Sequence, residues 1–246
     1  MSIPKIIHYC WFGGGPISAE SQKCMESWKK YCPDYKIIEW NDQNFDISTN
    51  RYAQQAYEAK KYAFVSDYVR LAVLYEYGGI YLDTDVELVR PLDELLELPG
   101  FMGFQTNNEV ATGLGFGARK GNSVVQALLR DYDALDFLKA DGSADLTPCP
   151  ERNTRVLQAL GVRKDGTRQS IAEMEIFPAE YFCPMDLYSR ELRVTPKTYS
   201  IHRYAESWKP KPSAVSRILQ RLLKKHYYTW YCPLRGRIER RLRKRT

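Results

Sequence analysis

Two aspartates near the middle of the chain, Asp83 and Asp85, are the residues whose type and spacing most clearly predict chemistry. They lie in the stretch 80–86, where the alternation of a β-strand would place Tyr81, Asp83 and Asp85 on one face. Two carboxylates on one face repel each other unless a cation lies beside them. Hard divalent ions such as Mg²⁺ and Mn²⁺ prefer carboxylate oxygens and also bind phosphate oxygens. The pair therefore predicts a metal site that holds a diphosphate.

The segment before this strand has the spacing of a helix. Apolar residues recur at intervals of three and four from residue 63 to 77, and Gly78-Gly79 then supplies a C-terminal stop. Asp67 and Arg70 lie three positions apart and so share one helix face. A surface ion pair would explain these two residues in isolation. Because the glycine turn leads directly into the strand with the two aspartates, a shared site is the stronger prediction.

Other predicted elements alternate between strand and helix along the chain. They are a strand at 5–12, a helix capped by Ser18 and ending at Tyr31, a strand at 35–40, helices at 51–61 and 92–98, strands at 101–105 and 112–118, and a helix at 122–136. This alternation predicts a mostly parallel sheet with helices on both faces. The glycine-rich stretch 112–117 lacks the spacing of a dinucleotide-binding loop, so we interpret it as a strand edge and favour a structural role over contact with the substrate.

The charged segments together carry a family resemblance. The string Ser66-Asp67-x-x-Arg70, followed at fixed spacing by Gly78-Gly79-x-Tyr81-x-Asp83-x-Asp85, resembles the signature of the DXD-containing sugar transferases (glycosyltransferase family 32-like). That family includes fungal initiating α-1,6-mannosyltransferases, the glucosyltransferase domains of large bacterial toxins and many capsule and lipopolysaccharide transferases. The opening segment 3–13 resembles its first strand, and 200–208 resembles its closing His and Ser-Trp motif. The resemblance implies a GT-A fold, which is Rossmann-like.

The resemblance also implies residue roles. The expected catalytic residues are Asp83, Asp85 and Arg70. The expected donor-binding residues are Trp11, Asp67, Arg70, Tyr81, Asp83, Ser207 and Trp208. The expected metal ligands are Asp85, Asp83 and, at the end of the domain, His202. The implied cofactor is Mn²⁺, with Mg²⁺ as the second choice.

The implied reaction moves a hexose from a nucleoside diphosphate sugar to a saccharide acceptor. UDP-galactose and UDP-glucose are favoured over GDP-mannose as donors. The family is associated with retention of anomeric configuration, and no nucleophile set of the serine–histidine or cysteine–histidine type is evident. A front-face displacement is therefore the working hypothesis.

Charge is strongly segregated along the chain. Residues 209–246 carry 13 Lys and Arg against one acidic residue, whereas residues 1–208 carry 23 basic and 29 acidic residues. We therefore expect a catalytic domain at 1–208 and a basic tail at 209–246. Apolar residues in the tail follow helical spacing, namely Val215, Ile218, Leu219, Leu222 and Leu223. This pattern predicts that residues 213–246 form an amphipathic element on an anionic membrane surface. The apolar stripe of this element would also suit packing against the catalytic domain.

Several observations bound the cellular setting. The sequence shows no run long enough for a signal peptide or a membrane span, and its six cysteines form no C-x-x-C pair. The expected location is cytoplasmic, peripheral on the inner face of the cell membrane. The expected acceptor is a growing, lipid-linked saccharide in the synthesis of capsule, exopolysaccharide or lipopolysaccharide. Nucleic acid is not an expected partner, because the body is acidic and shows no nucleic-acid-binding module.

Two other function classes remain open on the sequence. A phosphatase or phosphotransferase with an aspartyl nucleophile also uses a D-x-D at a strand end, although there the strand opens the core. A non-catalytic protein that binds membranes or polyanions would need only the basic tail.

Overall fold

The computed structural model describes residues 2–186 and 189–205 of the chain. The predictions for Ser207, Trp208 and the basic tail at 209–246 lie outside these residues.

The described elements alternate between strands and helices. In chain order they are β1 (Ile6–Cys10), α1 (Ala19–Tyr31), β2 (Lys36–Trp40), α2 (Arg51–Glu58), α3 (Tyr62–Tyr77), β3 (Gly79–Tyr81), β4 (Val86–Leu88), β5 (Gly100–Phe104), β6 (Val110–Ala111), β7 (Phe116–Ala118), α4 (Ser123–Asp133), α5 (Cys149–Ala159), β8 (Gln169–Ile171), β9 (Met174–Phe177), α6 (Ala179–Phe182) and β10 (Ser200–His202). The capping prediction is confirmed, because Ser18 accepts a hydrogen bond from the Ser21 N–H.

The central sheet has the strand order β2-β1-β3-β7-β5-β9-β8, with β6 added on β5. Strand β1 pairs in parallel with both β2 and β3, and β5 pairs in parallel with β9. The pairs of β7 with β3 and β5, of β6 with β5 and of β8 with β9 are antiparallel. The predicted parallel arrangement thus holds for β2-β1-β3, whose carboxyl ends meet at one edge.

Hydrophobic residues cover both faces of this sheet. On one face Cys10 and Tyr81 join a cluster with Tyr52 from α2 and Leu71 from α3. The opposite face is covered by a second cluster, which includes Trp28 from α1 and Phe182 from α6. The predicted α/β fold with a helix-flanked sheet is therefore confirmed. Among the described helices, none combines the length and apolar character that crossing a bilayer requires.

The structure corrects three local predictions. The strand predicted over 80–86 ends at Tyr81, and the chain turns through residues 84 and 85 before β4 begins at Val86. Aspartate is disfavoured in strands, and here the Val86 N–H closes the turn on the carbonyl of Asp83 at 3.0 Å. The helix predicted at 92–98 is a single 3-10 turn, Asp93–Leu95, and of the strand predicted at 112–118 only Phe116–Ala118 forms.

Candidate metal and donor site

The two aspartates meet in space because of a turn rather than a shared strand face. Backbone pairing continues just past β3: the Leu82 N–H donates to the carbonyl of His8, and the Asp83 N–H donates to that of Gly113. The turn at 84 and 85 then brings Asp85 back beside Asp83. The two side chains keep 27% and 15% of their surface exposed, so both carboxylates reach the solvent edge of the sheet.

Arg70 lies behind this turn and holds Asp83 in place. One guanidinium nitrogen, Nη2, lies 3.1 Å from Oδ1 of both Asp67 and Asp83. The Nε–H donates to the carbonyl of Ser66, and the guanidinium carbon lies 4.8 Å from the Tyr81 ring centroid. Arg70 is only 6% exposed. Its geometry therefore supports a role in orienting Asp83 rather than in reaching the donor directly.

Tyr81 and Gly113 complete the support of Asp83. The hydroxyl of Tyr81, a residue that is 1% exposed, donates to Asp83 Oδ1 at 3.1 Å. A Cβ atom added at Gly113 would lie 1.9 Å from Asp83 Oδ2. Only a glycine at 113 leaves room for this carboxylate. The glycine-rich stretch, for which the sequence favoured a purely structural role, therefore borders the site.

His202 reaches the same site from the other end of the described chain. Strand β10 pairs antiparallel with β4, in a register that sets His202 opposite Val86, the residue after the turn. The Nε2 atom of His202 lies 3.2 Å from Asp85 Oδ1 and 4.0 Å from Asp83 Oδ2. The second oxygen of Asp85 accepts the Ala205 N–H at 2.7 Å. A long-range strand pairing thus closes the acidic turn with an imidazole.

The charges of the site shift its pKa values in different directions. Burial raises the pKa of Asp83, and the nearby charge of Asp85 adds to this, against the opposing effect of Arg70. Burial would also raise the pKa of Asp85, but the charge and hydrogen bond of His202 lower it to about 2. Burial would lower the pKa of His202, yet the charge of Asp85 raises it. In the metal-free site, the charge of Asp85 therefore favours the protonated form of His202.

Asp67 is more deeply placed than the other carboxylates. It lies on α3 and is 8% exposed, and its burial raises its pKa to about 6 despite the charge of Arg70. Its carboxylate pairs with the same guanidinium nitrogen as Asp83. Asp67 therefore balances the charge of Arg70 from the helix side.

The three outer groups fit a divalent cation. Asp83, Asp85 and His202 each offer one ligand atom, and these atoms lie within 4.8 Å of one another. Two carboxylates and one imidazole supply the oxygen and nitrogen ligands that divalent metal ions take in proteins. The Nδ1 atom of His202 has no hydrogen-bond partner among the described residues, so the ring's orientation rests on Nε2 and on packing.

The remaining predicted residues fall in different places. Trp11 follows β1 at the edge where Asp83 follows β3, is half-buried, and donates its indole N–H to the carbonyl of Gly15 at 2.6 Å. Ser207 and Trp208 lie beyond the described residues. His8, by contrast, is a core residue: it accepts the Trp40 indole N–H at 3.0 Å and contacts the Gly78 carbonyl at 2.9 Å.

Sequence reasoning missed two residues behind Arg70, namely Cys149 and Asn153 of α5. Both are buried, and the Cys149 sulfur lies 4.0 Å from the Arg70 guanidinium. Their spacing of four residues, which places both on one helix face, is the signal available in the sequence. Because neither residue belongs to a recognisable motif, that signal was too weak to identify them.

The carboxylate pair and the facing imidazole thus lie at the carboxyl edge of parallel strands, which is where open α/β sheets bind their ligands. Residues 18–101 match the family described as the glycosyltransferase sugar-binding region containing the DXD motif. This region of the chain is therefore similar to that DXD sugar-transferase family.

Curated relatives agree with this family. Inositol phosphoceramide mannosyltransferase 3 of Schizosaccharomyces pombe is 30% identical over 151 residues, which cover 55% of this chain and 39% of that protein. An uncharacterized glycosyltransferase of Acanthamoeba polyphaga mimivirus is 25% identical over 221 residues, or 85% of this chain and 84% of the viral one. The chain therefore spans well under half the length of the fungal relative.

Solved structures give a weaker likeness. The PaToxG glycosyltransferase aligns with a TM-score of 0.48 at 21% identity and covers 64% of this chain and 70% of its own.

Proposed function

We propose that this chain is a metal-dependent glycosyltransferase that moves a hexose from a nucleoside diphosphate sugar to a saccharide acceptor. The observation that carries the proposal is the convergence of Asp83, Asp85 and His202 in front of the Arg70–Asp67 pair. The family match over residues 18–101 and the glycosyltransferase names of the relatives support it.

Each side chain then has a distinct task. Asp85, Asp83 and His202 hold the cation, which, when bound, neutralises charge on the diphosphate leaving group. Arg70 and Tyr81 fix the Asp83 carboxylate, which faces the donor. Trp11 stacks on the nucleotide base, a contact worth about 1–3 kcal/mol by analogy with base stacking in nucleic-acid grooves. We also assign Ser207 and Trp208, which lie outside the described residues, to donor binding.

Deprotonated His202 is needed for metal binding. An imidazole ligates a metal only in its neutral form, and in the metal-free site the charge of Asp85 raises the pKa of His202. Metal loading therefore releases a proton, and metal affinity falls as the pH is lowered.

The donor is a hexose nucleotide, and two classes merit testing first. UDP-galactose and UDP-glucose are the donors that the sequence favours. A mannosyl donor stands beside them, because several relatives are named as mannosyltransferases. Retention of anomeric configuration by front-face displacement remains our proposal for the stereochemistry.

The acceptor is proposed to be a lipid-linked saccharide at an anionic membrane surface. Two observations support this: the concentration of basic residues at 209–246, and a fungal relative whose name refers to inositol phosphoceramide. A bacterial-type setting would be capsule, exopolysaccharide or lipopolysaccharide synthesis at the inner face of the membrane. Replacing Arg240, Arg241, Arg243, Lys244 and Arg245 by Gln should release the full chain from anionic liposomes without changing donor turnover.

The decisive assay for the proposed activity is a donor panel. Radiolabelled UDP- and GDP-hexoses are incubated with the full chain in Mn²⁺ or in EDTA, and both transfer and donor hydrolysis are measured. We expect Mn²⁺-dependent turnover of one nucleotide class, lost in Asp85→Asn and retained in Asp141→Asn, a change in an exposed loop. Metal-dependent release of phosphate from phosphomonoesters, with no turnover of any sugar nucleotide, would instead support the phosphatase alternative.

A further inference from the structure

A closed cluster of three buried polar side chains contacts Arg70. Thr112 follows β6, while Cys149 and Asn153 occupy the first and second turns of α5. The Asn153 amide nitrogen lies 3.1 Å from the Thr112 hydroxyl and 3.2 Å from the Cys149 sulfur. The Thr112 oxygen and the Cys149 sulfur are 3.3 Å apart, which closes the triangle. We call these three residues the α5 cluster.

The α5 cluster contacts the terminal guanidinium nitrogen of Arg70 that has no aspartate partner among the described residues. This nitrogen, Nη1, donates to the Thr112 hydroxyl at 3.4 Å and lies 4.0 Å from the Cys149 sulfur. The other terminal nitrogen, Nη2, makes the contacts to Asp67 and Asp83. Because the guanidinium is planar, fixing Nη1 also fixes the direction in which Nη2 points.

The cluster is built in a way that simple packing does not require. All three side chains are buried, and apolar residues of the same shape would fill this space without needing hydrogen-bond partners. The Asn153 carbonyl oxygen has no hydrogen-bond partner in the described part of the chain. Leaving a buried acceptor unpaired is unfavourable, so stability alone does not explain the presence of the Asn153 amide.

The thiol of Cys149 is suited to a neutral support. Burial raises its pKa to about 12, so the sulfur stays protonated and adds no charge next to Arg70. A soft, uncharged neighbour fixes the guanidinium without competing with Asp83 for its positive charge.

We propose that the α5 cluster positions Arg70, and through it Asp83, for contact with the donor sugar. This inference rests on the proposed function, since it assigns the cluster to the donor site of that reaction. Thr112, Cys149 and Asn153 are positioning residues, because they act through Arg70 and do not touch the donor themselves. The cluster lies outside the segment 18–101 that matches the family, so it ties a separate helix to the family's motif.

The test compares Cys149→Ala and Thr112→Val with the conservative variants Cys149→Ser and Thr112→Ser. Cys32→Ala serves as a matched control, because Cys32 is equally buried but lies in the cluster on the opposite face of the sheet. Three quantities are measured on the full chain: kcat/KM for the sugar nucleotide, affinity for the nucleoside diphosphate with Mn²⁺, and the melting temperature.

We expect Cys149→Ala and Thr112→Val to lose about tenfold or more in kcat/KM, mainly through kcat. The serine variants should recover most of this loss, and the affinity for the nucleoside diphosphate should change less than about twofold. Losses that track the melting temperature across all variants, Cys32→Ala included, would overturn the proposal.

A second measurement separates this inference from the proposed function. The exchange rate of the Arg70 side-chain Nε–H, followed by NMR, reports directly on how firmly the guanidinium is held. We expect exchange about tenfold faster in Cys149→Ala and Thr112→Val than in the wild type, at unchanged backbone protection. Unchanged exchange would refute the positioning role. A wild type that turns over no sugar nucleotide would refute the proposed function, while the exchange rates would still decide whether the cluster positions Arg70.

Discussion

His8 and His202 are both held inside the protein at strands, yet their surroundings give them opposite properties. His8 in β1 lies between the Trp40 indole and the Gly78 carbonyl, and burial lowers its pKa to about 4. His202 in β10 faces Asp83 and Asp85, whose charges raise its pKa in spite of burial. The comparison shows that the neighbouring charge, rather than burial, decides whether an interior histidine is a neutral core residue or a charged site residue.

The difference extends to the regions around the two rings. Both ring nitrogens of His8 are engaged, so nothing remains for a ligand to occupy. At His202, Nε2 points to two carboxylates that reach the solvent edge of the sheet, and Nδ1 has no partner in the described part of the chain. The first region has its polar atoms paired within the core, whereas the second offers three ligand atoms to a cation.

The largest expected effect is that of replacing Asp85, the aspartate that pairs with His202. Asp85→Asn removes a metal ligand and the main partner of His202, so we expect donor turnover to fall by about 10³-fold, which corresponds to ~4 kcal/mol of lost stabilisation. Steady-state kinetics at saturating Mn²⁺ measure this. A variant with turnover within a few-fold of the wild type would break the assignment of this region as the active site.

Gly113→Ala should disturb the same region by steric pressure alone. The new Cβ would overlap the Asp83 carboxylate, and a displacement of about 1 Å at such a site commonly costs about 10²-fold in rate. Gly103→Ala is the matched control, because its Cβ would press on Phe182 in the core, 2.8 Å away. We expect the control to lower the melting temperature while Mn²⁺ affinity stays unchanged. Equal effects of both variants on Mn²⁺ affinity would contradict the account.

Matched substitutions test the two histidines directly. His202→Gln should weaken Mn²⁺ binding by at least about tenfold, since it removes one ligand. His8→Gln should leave Mn²⁺ affinity unchanged but lower the free energy of unfolding by roughly 1–3 kcal/mol, because the partners Trp40 and Gly78 are left poorly paired. Calorimetric titration with Mn²⁺ and denaturant unfolding measure the two quantities. The comparison fails if the two variants behave alike.

The pH dependence of stability gives a further contrast between the two histidines, because their pKa values shift in opposite directions. The folded-state pKa of His8 is about 4, against 6.5 as its usual value, so the unfolded chain takes up a proton that the folded chain refuses. This term lowers stability as the pH falls from 6.5 towards 4, by roughly 3 kcal/mol in all. The pKa of His202 is raised instead, so its stabilising term is complete below 6.5 and disappears as the pH rises through the folded value.

Unfolding in EDTA at about pH 5.5 and about pH 8 separates the two signs. Relative to the wild type, His202→Gln should lose more stability at the lower pH, whereas His8→Gln should lose more at the higher pH. Parallel behaviour of the two variants would show that Asp85 does not control the charge of His202.

Local sequence predicted the elements that position the site better than the site's geometry. The helix before Gly78, the Ser18 cap and the first two strands follow from apolar spacing and capping chemistry, which act over a few residues. The meeting of Asp83 and Asp85 was predicted, but from strand alternation, whereas a turn produces it. Aspartate's preference for turns was the signal that should have outweighed alternation.

Long-range pairing explains what the sequence could not supply. His202 reaches Asp85 only because β10 pairs with β4, and no local pattern encodes that register. Family resemblance, not spacing, was the reason to consider His202 at all. Cys149 likewise reaches Arg70, and Asn153 reaches Cys149, through the packing of α5, which depends on the whole core rather than on neighbouring residues.

The central claim is that Asp83, Asp85 and His202 together hold a divalent cation. The most direct measurement is a crystal structure of the full chain with Mn²⁺ and a nucleoside diphosphate, using the anomalous signal of manganese to locate the ion. The account predicts one peak in contact with both aspartates and with Nε2 of His202, bridging to the diphosphate. A peak elsewhere, or a bound nucleotide with His202 still paired only to Asp85, would contradict it.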